Sequence, residues 1–161
     1  MRQFVRLCLL VVGLLSLTAC QPPTPHAEAR TQYEATHDLS VDEQLGGHTL
    51  QRHVGKTDQD LRDRLRKERN ISAASTYQDR STAERTIAAA LSENADKIQH
   101  WIDRGPRRPN FVIDYTDPRD PIGRTINRGA MGSVPCDHAI VVLKADGDSY
   151  YVLTSYPECR S

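Results

Sequence analysis

The hydrophobic period of this chain changes near Asn110, and that change restricts the fold more than any other feature. Before it, Ile87, Leu91, Ala95, Ile98 and Ile102 recur at intervals of four, four, three and four. That spacing places five apolar side chains on one stripe of a helix. Ser81 and Glu84 have the capping-box spacing at its start, and Gly105-Pro106 closes it, so one helix is expected to about Asp103. After Asn110 the pattern is that of strands. Phe111–Tyr115, Ala139–Ala145 and Tyr150–Tyr156 are strand-like runs, and Arg124–Arg128 is a more polar one. Asp146-Gly147-Asp148 is a hairpin signal between the last two. Helices first and antiparallel strands afterwards predict an α+β domain, with N-terminal helices packed on a C-terminal antiparallel sheet.

The N-terminus reads as a targeting segment. Arg2 and Arg6 precede a short apolar run, Leu7–Leu17, which is below the roughly 20 residues that a membrane span needs. The ending Leu17-Thr18-Ala19-Cys20 resembles a bacterial lipobox. That resemblance implies a lipoprotein signal over 1–19, lipidation of Cys20 and a membrane partner through that anchor. Gln21 in place of an acidic residue implies the outer membrane. Residues 20–38 are rich in Pro, Thr, Ala, Glu and His without apolar periodicity and are expected to form a flexible tether. The folded domain is expected over 39–161. The chain has 21 basic and 21 acidic residues. Loss of Arg2 and Arg6 leaves it about two charges negative, which argues against a generic nucleic-acid coat but leaves room for a local basic site.

Cysteine usage fits an exported chain. With Cys8 discarded and Cys20 lipidated, Cys136 and Cys159 remain, at nearly mirror-image distances from the hairpin turn. A disulfide between them is expected in an oxidising compartment. A metal site is disfavoured, because no CxxC or paired His-Cys spacing exists, and no cofactor is expected.

The densest run of titratable and turn residues is Gly46–Thr57, running on into Asp58–Leu65. Ser40 and Glu43 have capping-box spacing before it, and Gly47 allows a close backbone approach or a positive φ. His48 and His53 lie five apart within one or two helical turns, so they do not share a face. Thr57 is a good N-cap for a helix over about 58–68, with Leu61 and Leu65 on its buried stripe. Arg64 borders that stripe and can point inward, whereas Arg62, Arg66, Lys67 and Arg69 are expected on a solvated face. Residues 71–77 read as a short strand or an extended connection. In the last strand, regular alternation would put Val152, Thr154 and Tyr156 on one face and Tyr151, Leu153 and Ser155 on the other. The Thr154 and Tyr156 hydroxyls could then cradle a phosphate.

Several of these segments, taken in order, resemble one family. They are Gly-Gly-His-Thr-Leu-x-Arg-His-Val-Gly-Lys-Thr at 46–57, Leu-x-x-Arg-Leu at 61–65, Ala-Ser-Thr-Tyr at 74–77, Thr-Ala-Glu at 82–84 and Tyr-Tyr-Val-Leu-Thr-Ser-Tyr-Pro at 150–157. The chain is similar over about 38–158 to the bacterial ribonuclease A-like toxin domain of contact-dependent growth inhibition effectors. The resemblance implies a ribonuclease A-like fold, metal-independent RNA cleavage by 2′-OH transphosphorylation, RNA as substrate and an immunity protein as partner. It also implies His53, Arg64, Thr154 and Tyr156 as the catalytic set. The chemistry suits them: histidine as acid or base, arginine on phosphate, and two hydroxyls for hydrogen bonding or proton donation. His48 and Lys56 are secondary, substrate-binding candidates, His48 having a capping role as its plainer reading. The alternative function is a catalytically silent envelope lipoprotein that uses the same fold to bind. Failure of the four residues to converge on one cleft would favour it.

Overall fold

The computed structural model describes residues 37–117 and 121–159. The expected signal segment, Cys20 and the tether as far as residue 36 lie outside the described residues. The helical half contains α1 (Leu39–Gln44), α2 (Thr49–His53) and α3 (Asp58–Lys67), then strand β1 (Ala73–Tyr77). Helices α4 (Arg80–Glu93) and α5 (Ala95–Ile102) follow, and the strands β2 (Phe111–Thr116), β3 (Gly123–Asn127), β4 (Val134–Cys136), β5 (His138–Asp146) and β6 (Ser149–Glu158) complete the domain. The strands form two antiparallel three-stranded sheets, ordered β1-β3-β4 and β2-β5-β6. This is the α+β class that the change of period predicts, with one strand placed among the helices.

Local chemistry sets the helix ends. Thr57 caps α3 in a reciprocal capping box with Asp60. The other two caps differ from expectation. Asp38, not Ser40, accepts the Ser40 N–H at the start of α1, and Asp79, not Ser81, accepts the Thr82 N–H at the start of α4. A carboxylate is an N-cap as good as serine, and in each case it stands two residues earlier. His37, assigned by composition to the tether, bonds Asp42 through Nε2 at 2.6 Å. The single long helix expected to Asp103 is also corrected. It breaks at Asn94, whose side-chain Nδ2 donates to the Ala90 carbonyl at 2.9 Å and so competes with the backbone ladder.

The main core gathers Leu39, Tyr77, Ile87, Trp101, Val141, Leu143 and Val152, all at most 3% exposed. A second cluster, Leu61, Leu65, Ala74 and Ile126, seats α3 on the β1-β3-β4 sheet. This leaves the inward edge of α3 facing the β1 surface.

A β-bulge decides what β6 presents. The β5 register runs Val142 opposite Thr154 and Leu143 opposite Val152, so Leu153 is the extra residue. The regular alternation expected for this strand therefore fails. Val152 turns into the core with Ser155, while Thr154 and Tyr156 fall on the other face opposite Val142 and Ile140. The edge of β6 is closed by the first two helices. Asp42 Oδ1 accepts the Val152 N–H at 2.8 Å, the Leu153 carbonyl accepts the His48 N–H at 3.0 Å, and Thr49 Oγ1 accepts the Ser155 N–H at 2.9 Å. Gly47 permits this approach, since a Cβ there would lie 2.6 Å from the Val152 carbonyl oxygen.

Cys136 and Cys159 are joined by a disulfide across 23 residues, which ties β4 of one sheet to the end of β6 in the other. Reduction is expected to lower stability by about 3 kcal/mol on the chain-entropy model. Urea unfolding with and without reductant measures it, and coincident midpoints would contradict it.

Candidate active site

The site is assembled where α2, the inner edge of α3, β1 and the second half of β6 meet. The bulge aims Thr154 and Tyr156 toward α2, and the side-chain bonds of Asp42 and Thr49 hold that strand against it. His53, Arg64, Thr154 and Tyr156 line one cavity of about 550 Å³. Two of them come from the helical half of the chain and two from its last strand, about a hundred residues later.

His53 closes α2 and is 6% exposed. Its Nδ1 lies 3.2 Å from the Ser75 carbonyl oxygen, which can only accept, so Nδ1 carries the proton. Its Nε2 lies 3.4 Å from Arg64 Nη1, which can only donate, so Nε2 holds the lone pair. Burial first, and the Arg64 guanidinium second, push the His53 pKa down to about 3. The imidazole is thus neutral at physiological pH, with its basic nitrogen at the cavity.

Arg64 is held in turn. Glu68, one turn further along the line of α3, lies 3.5 Å from Arg64 Nε, and its other partner is the Arg52 guanidinium at 2.5 Å. Nothing in the composition around Glu68 marks it as functional, although its position four residues after Arg64 is the spacing at which helical charges meet.

The Tyr156 ring lies over His53, with centroids 5.4 Å apart and planes tilted by 33°. Burial and then the nearby Glu158 carboxylate raise its pKa, so the phenol keeps its proton. Thr154 Oγ1 is buried and has no hydrogen-bond partner among the described residues. A buried hydroxyl left unpaired costs about 1–3 kcal/mol, and its persistence at a cavity wall is consistent with a partner supplied by a ligand.

The two secondary candidates separate. His48 lines the same cavity and occupies the N-cap position of α2, as its plainer reading has it, but without a side-chain capping hydrogen bond. Burial and then Arg52 lower its pKa. Lys56 lines a neighbouring cleft of about 330 Å³ together with Arg52 and Arg64. Its backbone is fixed by Thr76 and Arg124. Ser75, Thr125 and Asn127, which carry no distinguishing signal in the sequence, extend the main cavity over the β1-β3 ladder. Among the described residues, no group of three or more His, Cys, Asp or Glu side chains gathers where a metal ion would bind.

Comparison with known proteins identifies the family. No curated protein matches the chain. Residues 47–157 match the family described as the bacterial CdiA-CT RNAse A domain. A chain in the crystal structure of a CdiA-CT/CdiI complex from Y. kristensenii 33638 is 32% identical, with a TM-score of 0.62 over 70% of this chain and 99% of that one. The match spans both halves of the cavity, from the glycine before His48 to the residue after Tyr156, and the chain belongs to the bacterial CdiA-CT RNase A domain family, the ribonuclease toxins of contact-dependent inhibition.

Proposed function

We propose that the domain cleaves RNA without a metal ion, by attack of a ribose 2′-oxygen on the adjacent phosphorus. The observation that carries this reading is a neutral imidazole, a guanidinium, a phenol and an unpaired buried hydroxyl around one cavity. His53 Nε2 accepts the 2′-OH proton as the new 2′-O–P bond forms. Arg64 leaves His53 for the phosphate and, with Thr154 Oγ1, stabilises the charge on the non-bridging oxygens. Tyr156 gives its proton to the departing 5′-oxygen as the P–O5′ bond breaks, and the proton on His53 restores the phenol. The products are a 2′,3′-cyclic phosphate and a 5′-hydroxyl end. His48 and Lys56 bind flanking parts of the substrate, each from a cavity that Arg64 also lines.

An immunity protein is the proposed partner, supported by the complex in which the similar Y. kristensenii domain was solved. A lipid on Cys20 and an envelope location follow from the lipobox-like Leu17-Thr18-Ala19-Cys20. The deciding experiment is RNA cleavage by the purified protein in excess EDTA. Full activity is expected, with cyclic phosphate ends. Loss of activity in EDTA that added magnesium or zinc restores would overturn the metal-independent reading.

A further inference from the structure

We propose that a second cleft, between α3 and the end of β3, binds the phosphodiester backbone of the RNA strand where it leaves the cleavage cavity. The inference rests on the ribonuclease reading and deepens it by assigning a track for the substrate beyond the scissile bond. The cleft has a volume of about 220 Å³ and carries Arg62, Arg66 and Arg128 above the apolar Leu65 and Ile126. It joins the active-site cavity at Asn127, which lines both.

The hydrogen bonding of these arginines separates a binding surface from an ordinary solvated face. Arg66 is paired with the Asp63 carboxylate. Arg62 and Arg128 are held differently, by backbone carbonyls. Arg62 Nη2 donates to the Met131 carbonyl at 2.9 Å, and Arg128 donates to the carbonyls of Glu68 and Ile71 at 2.9 and 2.8 Å. Carbonyls fix the two guanidinium groups in place without forming an ion pair, and the Asp58 carboxylate, shared with Arg124 and Ser133, offsets only part of the Arg62 charge. The result is two oriented basic groups in a cleft that shares Asn127 with the active-site cavity, on a protein with no net charge to steer RNA. Arg128 spends its Nε–Nη2 edge on those carbonyls and keeps Nη1 for a phosphate oxygen, whereas Arg62 commits only Nη2 to the Met131 carbonyl. Met131, whose carbonyl holds Arg62, is 97% exposed and offers an apolar surface for an unstacked base.

Substrate length tests the track. Arg62 does not line the cavity that holds the four catalytic candidates, so its replacement should leave cleavage of a dinucleoside monophosphate within about twofold of wild type. On a single-stranded dodecanucleotide, Arg62→Glu should lower kcat/KM by about five- to tenfold, and Arg62→Lys should restore most of the activity. Binding of an uncleavable 2′-deoxy dodecanucleotide provides the second readout. The log–log slope of its affinity against salt should become shallower by about 0.7 for each phosphate that the protein no longer neutralises, and Arg62→Gln reads this directly. Equal effects of Arg62→Glu on the short and long substrates, or an unchanged salt slope, would overturn the track. A wild-type protein that cleaves neither substrate would overturn the proposed mechanism instead, and the binding arm would still decide the track.

Discussion

Replacing His53 with glutamine is expected to reduce RNA cleavage by about two to four orders of magnitude, the usual contribution of a positioned general base. The same substitution should reshape stability against pH. The folded-state pKa of His53 is pushed down to about 3 from an ordinary value of 6.5, chiefly by burial. Above pH 6.5 the imidazole is neutral in both the folded and the unfolded chain. As pH falls below that value, the unfolded chain binds a proton that the folded chain refuses, so stability declines until the folded-state pKa is reached. By about pH 4.5 the wild type should have lost about 3 kcal/mol through this group alone. Glutamine does not titrate, so His53→Gln should lack that part of the decline, while every carboxylate contribution is common to both proteins. Urea unfolding of the two proteins at about pH 7 and about pH 4.5 makes the comparison. Parallel acid losses would show that His53 titrates normally, and they would remove the argument that it stands ready as a neutral base.

The architecture is legible in the sequence wherever one local pattern dominates. Thr57 announces the start of α3, the Asp146-Gly147-Asp148 turn announces the β5-β6 hairpin, and the change of period announces the fold class. What is not legible depends on long-range partners. The Ile87–Ile102 stripe is continuous as a pattern, yet the chain breaks within it because the Asn94 amide finds the Ala90 carbonyl. Val152 departs from its expected face because a period-two reading assumes an uninterrupted ladder. The bulge at Leu153 is held by Asp42, His48 and Thr49, over a hundred residues earlier, which take the edge groups of β6. That same bulge turns Thr154 and Tyr156 away from the core, so the least legible element of the fold positions half of the site. The arginines of α3 show the limit from the other side. Their sequence separates Arg64 on the inner edge from Arg62 and Arg66 on the outer face, but the charge balance of the outer two is set by which meets Asp63 and which meets a backbone carbonyl near Asp58.

Thr154→Val should make the protein both slower and more stable. Valine reproduces the branched shape of threonine but carries no hydroxyl, so the packing beside Val142 and Tyr156 is preserved. In the unliganded protein, Thr154 Oγ1 is buried without a hydrogen-bond partner among the described residues, and removing it relieves about 1 kcal/mol of desolvation cost. On the proposed mechanism the same hydroxyl donates in the transition state to a phosphate oxygen that is gaining charge, so its removal should lower kcat by about two orders of magnitude. KM should change less, because the bond strengthens as the phosphorane forms. Thr154→Ser keeps the hydroxyl and gives up a methyl group, so it should retain most of the rate and be less stable than wild type by about 1 kcal/mol. The opposite order of valine and serine in rate and in stability is a signature that general loosening of the cavity cannot produce, since loosening would lower both together. Steady-state kinetics and urea unfolding on the three proteins read it directly. A valine variant that cleaves RNA at the wild-type rate would remove Thr154 from the catalytic set, and one that is less stable than wild type would show that its hydroxyl is already satisfied in the resting protein.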